Sequence, residues 1–269
     1  MRKYFAAMKI IILIISLSLA YITSYAETEP TDTISSFIFL DSIEINTESY
    51  SLDPCFTISG LGLFTKVGDG RFRSLDAERS PEISEFMCLD NIYYDQVIDM
   101  SDRMIVRSGK EVYSIGDSIS QIGEFDTHSF RLFPGQDSTY FAVAYTPHGS
   151  LLYQMSLSGN CVPVIMAQAE GHIMKAVPSK NGMCLFACLN NIYLWDNGKI
   201  ENFMAVDQPI VDFTLTKSGI LITTGDVLIA SNGKEATLQA QGDMRNLLYE
   251  GGRTYLINSD GSIFYSDKF

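Results

Sequence analysis

The chain has 269 residues and carries 32 acidic against 19 basic side chains, a formal net charge of −13 at pH 7. This charge argues against nucleic-acid binding, which draws its affinity from lysine and arginine contacts with phosphates, and it disfavours binding to anionic membranes. It would favour cations or basic partners, although a high net charge also serves solubility alone.

The N-terminal segment has the features of a secretory signal peptide. Basic residues precede an apolar run at residues 10–22, and small residues before the end of the segment predict cleavage after Ala26. An uncleaved anchor is the alternative, but the apolar run is short for a membrane span, which needs about 20 residues. We therefore expect residues 1–26 to be removed and residues 27–269 to form one exported domain, secreted or periplasmic, with no membrane span.

The cysteines predict buried thiols. There are five, an odd number for an exported protein: Cys55, Cys88, Cys161, Cys184 and Cys188. In a strand, the spacing of the last two separates them by about 13 Å, too far for a disulfide. No CxxC pair occurs and no histidine has ligand spacing to a cysteine, so free thiols are favoured over a disulfide framework or a metal site.

Short runs of β-branched and aromatic residues, broken every few positions by Gly, Asn, Asp or Ser, predict an all-β chain. In chain order, the first unit of four strands is irregular and covers residues 42–75. Two clearer units follow at residues 92–125 and 129–167. A shorter unit of three strands covers residues 245–266 at the C-terminus.

The two units between them have the clearest strands. The fourth unit is predicted to contain Ile173–Val177, Met183–Cys188, Ile192–Trp195 and Ile200–Met204, and the fifth Asp212–Leu215, Ile220–Thr224, Val227–Ala230 and Glu235–Gln239. In each, the last two strands are joined by Asn-Gly, at 197–198 and 232–233. Asn-Gly is a strong hairpin signal, because both central residues of a type I′ turn need positive φ.

A period near forty residues with four strands per unit is typical of a β-propeller blade. The mature chain resembles the β-propeller superfamily, and its repeats are similar to those of NHL-type and sensor-type bacterial propellers. Gly171-His172 and Trp195-Asp196 are placed like the GH and WD dipeptides of WD40 blades, but in one unit only, which supports the strand phase and not membership. The resemblance implies an all-β, six-bladed propeller whose last blade is completed by the N-terminal segment Ile34–Leu40. Five or seven blades stay open, because the first unit is irregular.

The resemblance also implies a ligand site at the mouth of the central channel, formed by the loops before the first strands and the turns between second and third strands. The predicted ligand-binding residues are Asp90, Asp126, His128, Glu170, His172, Asp207, Asp226 and Asp243, with His148 and Asp260 on the same face. A ring of carboxylates with imidazoles could hold a hard cation or serve acid–base catalysis. Acidic residues are also common in solvated turns, which is the simpler interpretation.

No motif for a nucleophile elbow, a P-loop or an HExxH zinc site is present. The sequence therefore predicts a binding or scaffold module, without a cofactor, that engages a protein or glycan ligand at the channel mouth. The alternative is a metal-dependent hydrolase of the lactonase or sugar-processing kind, with a carboxylate-held cation such as Ca²⁺ in the channel.

Overall fold

Six antiparallel sheets of four strands each form the part of the chain that the computed structural model describes, residues 37–43, 53–67, 71–76, 78, 85–87, 94–100, 102–158, 164–230, 235–237 and 243–269. Five sheets follow chain order, and each is one blade. In the sixth, the N-terminal strand pairs with the last strand of the chain and is the outermost strand of the last blade.

The strands of the first three blades contain between three and eight residues. Blade 1 contains β2 (Cys55–Ile58), β3 (Gly62–Val67), β4 (Arg71–Ser74) and β5 (Glu85–Met87). Blade 2 contains β6 (Gln96–Asp99), β7 (Met104–Ser108), β8 (Glu111–Ile115) and β9 (Ile119–Glu124). Blade 3 contains β10 (Phe130–Pro134), β11 (Thr139–Thr146), β12 (Gly149–Ser156) and β13 (Val164–Ala169).

The last three blades follow the same plan, with a 3₁₀ turn at Lys180–Gly182 after the first strand of blade 4. Blade 4 contains β14 (Ile173–Pro178), β15 (Cys184–Cys188), β16 (Asn191–Asp196) and β17 (Lys199–Ala205). Blade 5 contains β18 (Asp212–Thr216), β19 (Gly219–Thr223), β20 (Val227–Ala230) and β21 (Glu235–Thr237). Blade 6 contains β22 (Met244–Glu250), β23 (Arg253–Asn258), β24 (Ser262–Ser266) and β1 (Ile38–Ser42).

The first strands of the blades form a closed inner ring. Each contacts the first strand of the next blade, and β22 of the last blade contacts β2 of the first. The prediction of a six-bladed propeller is therefore confirmed, and five or seven blades are excluded. The predicted N-terminal contribution is confirmed as well, because Ile38 pairs with Tyr265 and Ser42 pairs with Ser262 in β24.

The hydrophobic core is divided among the blade interfaces. Within the described residues, one cluster of buried side chains lies between each pair of neighbouring blades. Between blades 1 and 2, for example, the Phe72 ring packs edge-on against Phe56 at 4.7 Å and Tyr94 at 5.3 Å between centroids. Burying each such side chain contributes roughly 1.5–3 kcal/mol, so every interface stabilises the ring.

The structure agrees with the predicted strands and turns that it describes, except that the first unit is displaced by one strand. Trp195 and Asp196 end the third strand of blade 4, and the following Asn197 and Gly198 have φ of 47° and 86°, as a type I′ turn requires. The unit predicted at residues 42–75 was wrong by one strand, since blade 1 begins at β2 and its fourth strand is β5. Ser42, assigned to that unit, belongs to the strand that closes blade 6.

Cys55, Cys184 and Cys188 are buried free thiols, as predicted, whereas Cys88 and Cys161 lie outside the described residues. The predicted signal peptide and the Asn232-Gly233 turn also lie outside them. The described part of the chain has no helix with the length and apolar character that a membrane crossing requires.

Candidate functional site in the central channel

A cavity of about 270 Å³ occupies the centre of the ring, and all six blades contribute to its lining. It runs along the first strands. We call the face where those strands begin the starting face, and the other the opposite face. The two ends of the cavity differ in burial. Near the starting face its lining includes the buried side chains of Gln96, Arg131 and Asp212, whereas at the opposite face Ser59 and Pro134 are exposed.

Five polar side chains, Asp53, Gln96, Arg131, Lys175 and Asp212, connect the blades at the closed end of the cavity. We call them the channel network. In its first half, Arg131 Nη2 donates to Asp53 Oδ1 at 2.6 Å, and Gln96 Nε2 donates to Asp53 Oδ2 at 2.5 Å. Blades 1, 2 and 3 are thereby linked through one carboxylate.

The second half of the network links blades 4, 5 and 6. Lys175 Nζ lies 3.2 Å from the Asp212 carboxylate and donates to the Leu247 carbonyl at 2.6 Å. Asp212 in turn accepts from the Leu247 amide at 2.8 Å and from the Phe213 amide at 2.8 Å. Two cations and two carboxylates thus balance one another across the channel.

The network also binds the inner edges of the first strands, whose backbone groups have no further strand to pair with. Gln96 exchanges two hydrogen bonds of 2.8 Å with the amide and the carbonyl of Leu132. Arg131 Nη1 donates to the Met174 carbonyl at 3.0 Å, and Met174 is the residue skipped by a register shift between β14 and β15. The polar side chains therefore form hydrogen bonds with the backbone at the channel edge, as a neighbouring strand does elsewhere in a sheet.

Burial acts in opposite directions on the pKa of Asp212 and on the pKa of Arg131. Desolvation by burial raises the pKa of Asp212, although Lys175 and the Leu247 amide act against this rise. For Arg131, burial acts to lower the pKa, but the Asp53 carboxylate holds it above its usual value. Arg131 is therefore a permanent cation. Its Nε is buried and has no hydrogen-bond partner.

At the open end of the cavity, two carboxylates lie on either side of one turn. Asp99 Oδ2 of blade 2 accepts from the Ser59 amide at 2.8 Å, and Glu250 Oε1 of blade 6 accepts from the Gly60 amide at 3.1 Å. Gly60 has φ of 76°, a conformation that glycine adopts without strain. Because the two amides are consecutive, the turn of blade 1 brings the two carboxylates together at the opening.

The wall between the two ends is apolar and offers no nucleophile at neutral pH. It includes Phe56, Val97, Leu132 and Phe133. The Cys55 thiol also lines it, but desolvation by burial raises its pKa to about 12, so at neutral pH it is not a nucleophilic thiolate. No histidine belongs to the lining.

The residues predicted from the sequence lie around the starting face and do not line the cavity. Asp126, His128, Glu170, His172, Asp207 and Asp226 are exposed, as are His148 and Asp260, and Asp243 is half-buried. Asp90 lies outside the described residues.

Several of these residues have specific contacts. His172 stacks on Tyr145 with 5.3 Å between ring centroids, and Asp243 forms an exposed ion pair with Arg245 at 2.6 Å. Among the described residues, no three His, Cys, Asp or Glu side chains are grouped so that they could hold a metal ion. The predicted ring of carboxylates therefore stays a prediction about the rim.

The sequence reasoning missed the channel network, although a signal for it exists. Gln96, Arg131, Lys175 and Asp212 are polar residues within the first three positions of their strands. A comparison of the starts of the first strands, blade with blade, would have drawn attention to them.

Comparison with known proteins supports the fold alone. No protein-family model matches the chain, and no curated protein matches it. Among solved structures, a catalytically inactive virginiamycin B lyase from Staphylococcus aureus with quinupristin is similar, with a TM-score of 0.57, 14% identity and 78% of each chain covered.

Two further structures are similar to a comparable degree. A protein assigned as a gluconolactonase has a TM-score of 0.57 and 11% identity over 86% of this chain and 91% of its own. YCF48 bound to D1 peptide has a TM-score of 0.52 and 13% identity over 86% of this chain and 82% of its own. Neighbours that include a lyase and a peptide-binding protein share this architecture, so the fold does not select a function.

Proposed function

We propose that the protein is an exported binding module that holds part of a protein or glycan ligand in its central cavity. The observation that carries this proposal is the cavity itself, which is closed at one end by the channel network and open at the other. Its volume of about 270 Å³ lies just below the usual range of about 300–1,000 Å³ for sites that enclose a whole small molecule. It therefore suits one side chain or one sugar ring of a larger ligand.

The chemistry of the lining supports binding without covalent catalysis. The charged side chains at the closed end are committed to one another and to backbone groups across the ring. The one thiol in the lining has a pKa of about 12. Such a site supplies shape, an apolar wall and fixed charges, which are the elements of recognition.

A cavity-filling substitution tests the proposal. Thr57 is a half-buried lining residue in the middle of β2. Calorimetric titration with capped tripeptides that vary the central side chain, and with common monosaccharides, should find ligands that bind the wild type and the isosteric Thr57→Val variant. Thr57→Phe should abolish that binding while circular dichroism shows an intact fold. Binding that survives in Thr57→Phe would show that the cavity is not the site.

The rim residues make a separate prediction. Changing Asp126, Glu170 and Asp207 together to Asn removes three exposed carboxylates from the starting face. If the cavity is the site, this triple variant binds the same ligands as the wild type. If the triple variant loses binding and Thr57→Phe does not, recognition belongs instead to the starting face.

The metal-dependent hydrolase remains the alternative, and a thermal melt separates the two. An ion present at one hundred times its Kd stabilises the folded state by about 2.7 kcal/mol. Millimolar Ca²⁺, Mg²⁺ or Zn²⁺ added after EDTA should leave the melting temperature of a binding module unchanged. A rise specific to one ion would favour the hydrolase.

A further inference from the structure

We propose that the cavity binds a neutral pyranose, the end unit of a glycan, and that Asn246 and Thr57 form hydrogen bonds with its hydroxyls. This inference rests on the proposed function and chooses between the two kinds of ligand named there. The observation that carries it is the division of the lining into charged groups that have partners and neutral groups that do not.

The charged side chains that line the cavity all interact with other parts of the protein. They are Asp53, Asp99, Arg131, Lys175, Asp212 and Glu250. The two carboxylates at the open end, Asp99 and Glu250, have further interactions besides those with the turn amides. A charged ligand group would leave water without gaining a counter-ion of its own, which is costly. The part of the ligand that enters the cavity should therefore be neutral.

Asn246 supplies an uncommitted polar group near the closed end. The channel network takes one side chain from each of blades 1 to 5, and Asn246 is a half-buried lining residue at the third position of β22 in blade 6. Its carboxamide forms no hydrogen bond within the described part of the chain and, unlike Arg131 Nε, is not sealed from solvent. A carboxamide both donates and accepts, which matches a hydroxyl.

Thr57 faces the same side of the cavity as Asn246. Side chains two residues apart lie on the same face of a strand, and Cys55 and Leu248, each two residues away, both pack in the core cluster between blades 6 and 1. Among the described residues the Thr57 hydroxyl also has no hydrogen-bond partner, and Thr57 is half-buried. The side of the cavity between blades 6 and 1 therefore carries two neutral groups that can donate and accept.

The other side of the cavity is apolar, with Val97 from blade 2 and Leu132 and Phe133 from blade 3. A pyranose ring matches both sides, because its hydroxyls lie around the edge and its C–H groups lie on its faces. Thr57 is one residue from the end of β2 at the open end, whereas Asn246 is two residues from the start of β22 at the closed end. Hydroxyls at several ring positions can reach both depths, whereas a glutamine or asparagine side chain is polar only at its tip.

The same two groups should select against an apolar ligand. A ligand that fills the cavity removes Asn246 and Thr57 from water. If it cannot form hydrogen bonds with them, each group is left buried and unpaired, and one such group is enough to weaken binding about tenfold. A ring with hydroxyls is therefore favoured over a ring of similar size without them.

Matched compounds test the class of ligand by calorimetric titration. The panel contains the methyl α- and β-glycosides of glucose, galactose and mannose, the corresponding methyl uronides, which add a carboxylate, and cyclohexanol, which has one hydroxyl. At least one neutral glycoside should bind the wild type about tenfold more tightly than cyclohexanol and than its own uronide. If a capped tripeptide with a central glutamine or asparagine binds more tightly than every glycoside, the ligand is a peptide side chain and the inference is wrong.

A disaccharide distinguishes the end of a glycan from a free sugar. A disaccharide that ends in the preferred sugar should bind at least as tightly as the methyl glycoside, because the second unit can extend through the open end. If it binds about tenfold more weakly, the site is made for a free monosaccharide and the assignment to a glycan is wrong.

Protein variants test the two proposed hydrogen-bonding residues. Asn246→Leu removes the carboxamide at similar volume and should weaken the glycoside about tenfold, with less than a twofold effect on cyclohexanol. Thr57→Val removes one hydroxyl and should weaken the glycoside about threefold, so that binding is still measured. Asn202→Leu is the matched control, because Asn202 is exposed on β17 and does not line the cavity. It should leave both affinities unchanged.

The outcomes separate this inference from the proposed function. Cyclohexanol binding by Asn246→Leu shows that its cavity is intact, so a glycoside affinity that does not change in this variant would overturn the inference. Equal weakening of glycoside and cyclohexanol would also contradict it, since that indicates a change of shape. If cyclohexanol or capped tripeptides bind in a manner that Thr57→Phe abolishes, and no glycoside binds more tightly, the sugar is wrong but the cavity still binds ligands. If nothing binds in that manner, both fail.

Discussion

Replacing Arg253 with methionine should destabilise the protein more than replacing its partner Asp76 with asparagine. The two residues connect the last blade to the first. Arg253 in β23 donates from Nη1 to both oxygens of Asp76 at 3.0 Å, and the Tyr255 hydroxyl donates to the same carboxylate at 2.6 Å. Asp76 is fully buried, whereas Arg253 also pairs with the exposed carboxylates of Glu78 and Asp267.

The two substitutions differ in cost because each removes a different member of the ion pair. Arg253→Met leaves a buried carboxylate without its cation, and breaking such a pair costs about 3–5 kcal/mol. Asp76→Asn leaves the cation with two exposed carboxylates and keeps an oxygen for Tyr255, so its cost should be about 1–2 kcal/mol. For a domain of this size, 1 kcal/mol corresponds to about 2–4 °C, which predicts decreases in Tm of roughly 6–20 °C and 2–8 °C.

Urea unfolding and thermal melts of the two single variants and the double variant measure these values. The double variant should be more stable than Arg253→Met, because it no longer buries a carboxylate that has lost the Arg253 guanidinium. Arg103→Met, which removes an exposed ion pair with Asp102, is the control and should barely change Tm. If Arg253→Met lowers the free energy of unfolding by less than about 1 kcal/mol, or if the double variant is less stable than Arg253→Met, the closure of the ring does not depend on this pair.

Three further predictions concern buried groups. Tyr140→Phe should stabilise the fold by about 1 kcal/mol, because the hydroxyl is buried without a partner, whereas Tyr255→Phe should cost about 1.5–3 kcal/mol, because its hydroxyl donates to a carboxylate. Equal effects of the two changes on urea midpoints would contradict this. Burial raises the pKa of Asp212 above its ordinary value of 3.8, so the folded state binds that proton more tightly than the unfolded state does. The stability contribution of Asp212 should then be fully present below pH 3.8 and should decline as the pH rises through its folded pKa. The contribution is the difference in unfolding free energy between the wild type and Asp212→Asn across this range, and an increase of that difference with pH would contradict the prediction. Cys55, 3% exposed with a pKa of about 12, should resist iodoacetamide at pH 8 until urea unfolds the ring, and rapid labelling of the native protein would exclude its burial.

Much of the fold was predictable because a blade is encoded locally. Strand alternation and turn residues act over a few positions, so blades 2 to 6 were located to within about four residues at either end. Blade 1 was not, because its third and fourth strands are separated by the long polar stretch between Ser74 and Glu85. Without a short turn there, the sequence signal assigned Ser42 to the wrong blade.

The site was predicted less well than the fold. Exposed acids such as Asp126 and Glu170 are visible in loops, so a search for charged loop residues finds them and leads to the starting face. The cavity instead opens beside Asp99 and Glu250, which end their strands and lie 151 positions apart in the chain. Only the turn at Ser59 and Gly60 brings them together.

The sequence by itself determined the repeat, the type of turn at Asn197 and Gly198, the burial of Cys55, Cys184 and Cys188, and the strand that closes the ring. Each of these depends on hydrophobic alternation or on backbone φ, which neighbouring residues specify. Only the tertiary structure decided that Asp53 and Arg131, 78 residues apart, share a hydrogen bond, and which end of the channel is closed. The physical reason is that a channel edge is completed by side chains from other blades, and their convergence depends on the number and tilt of the blades in the closed ring.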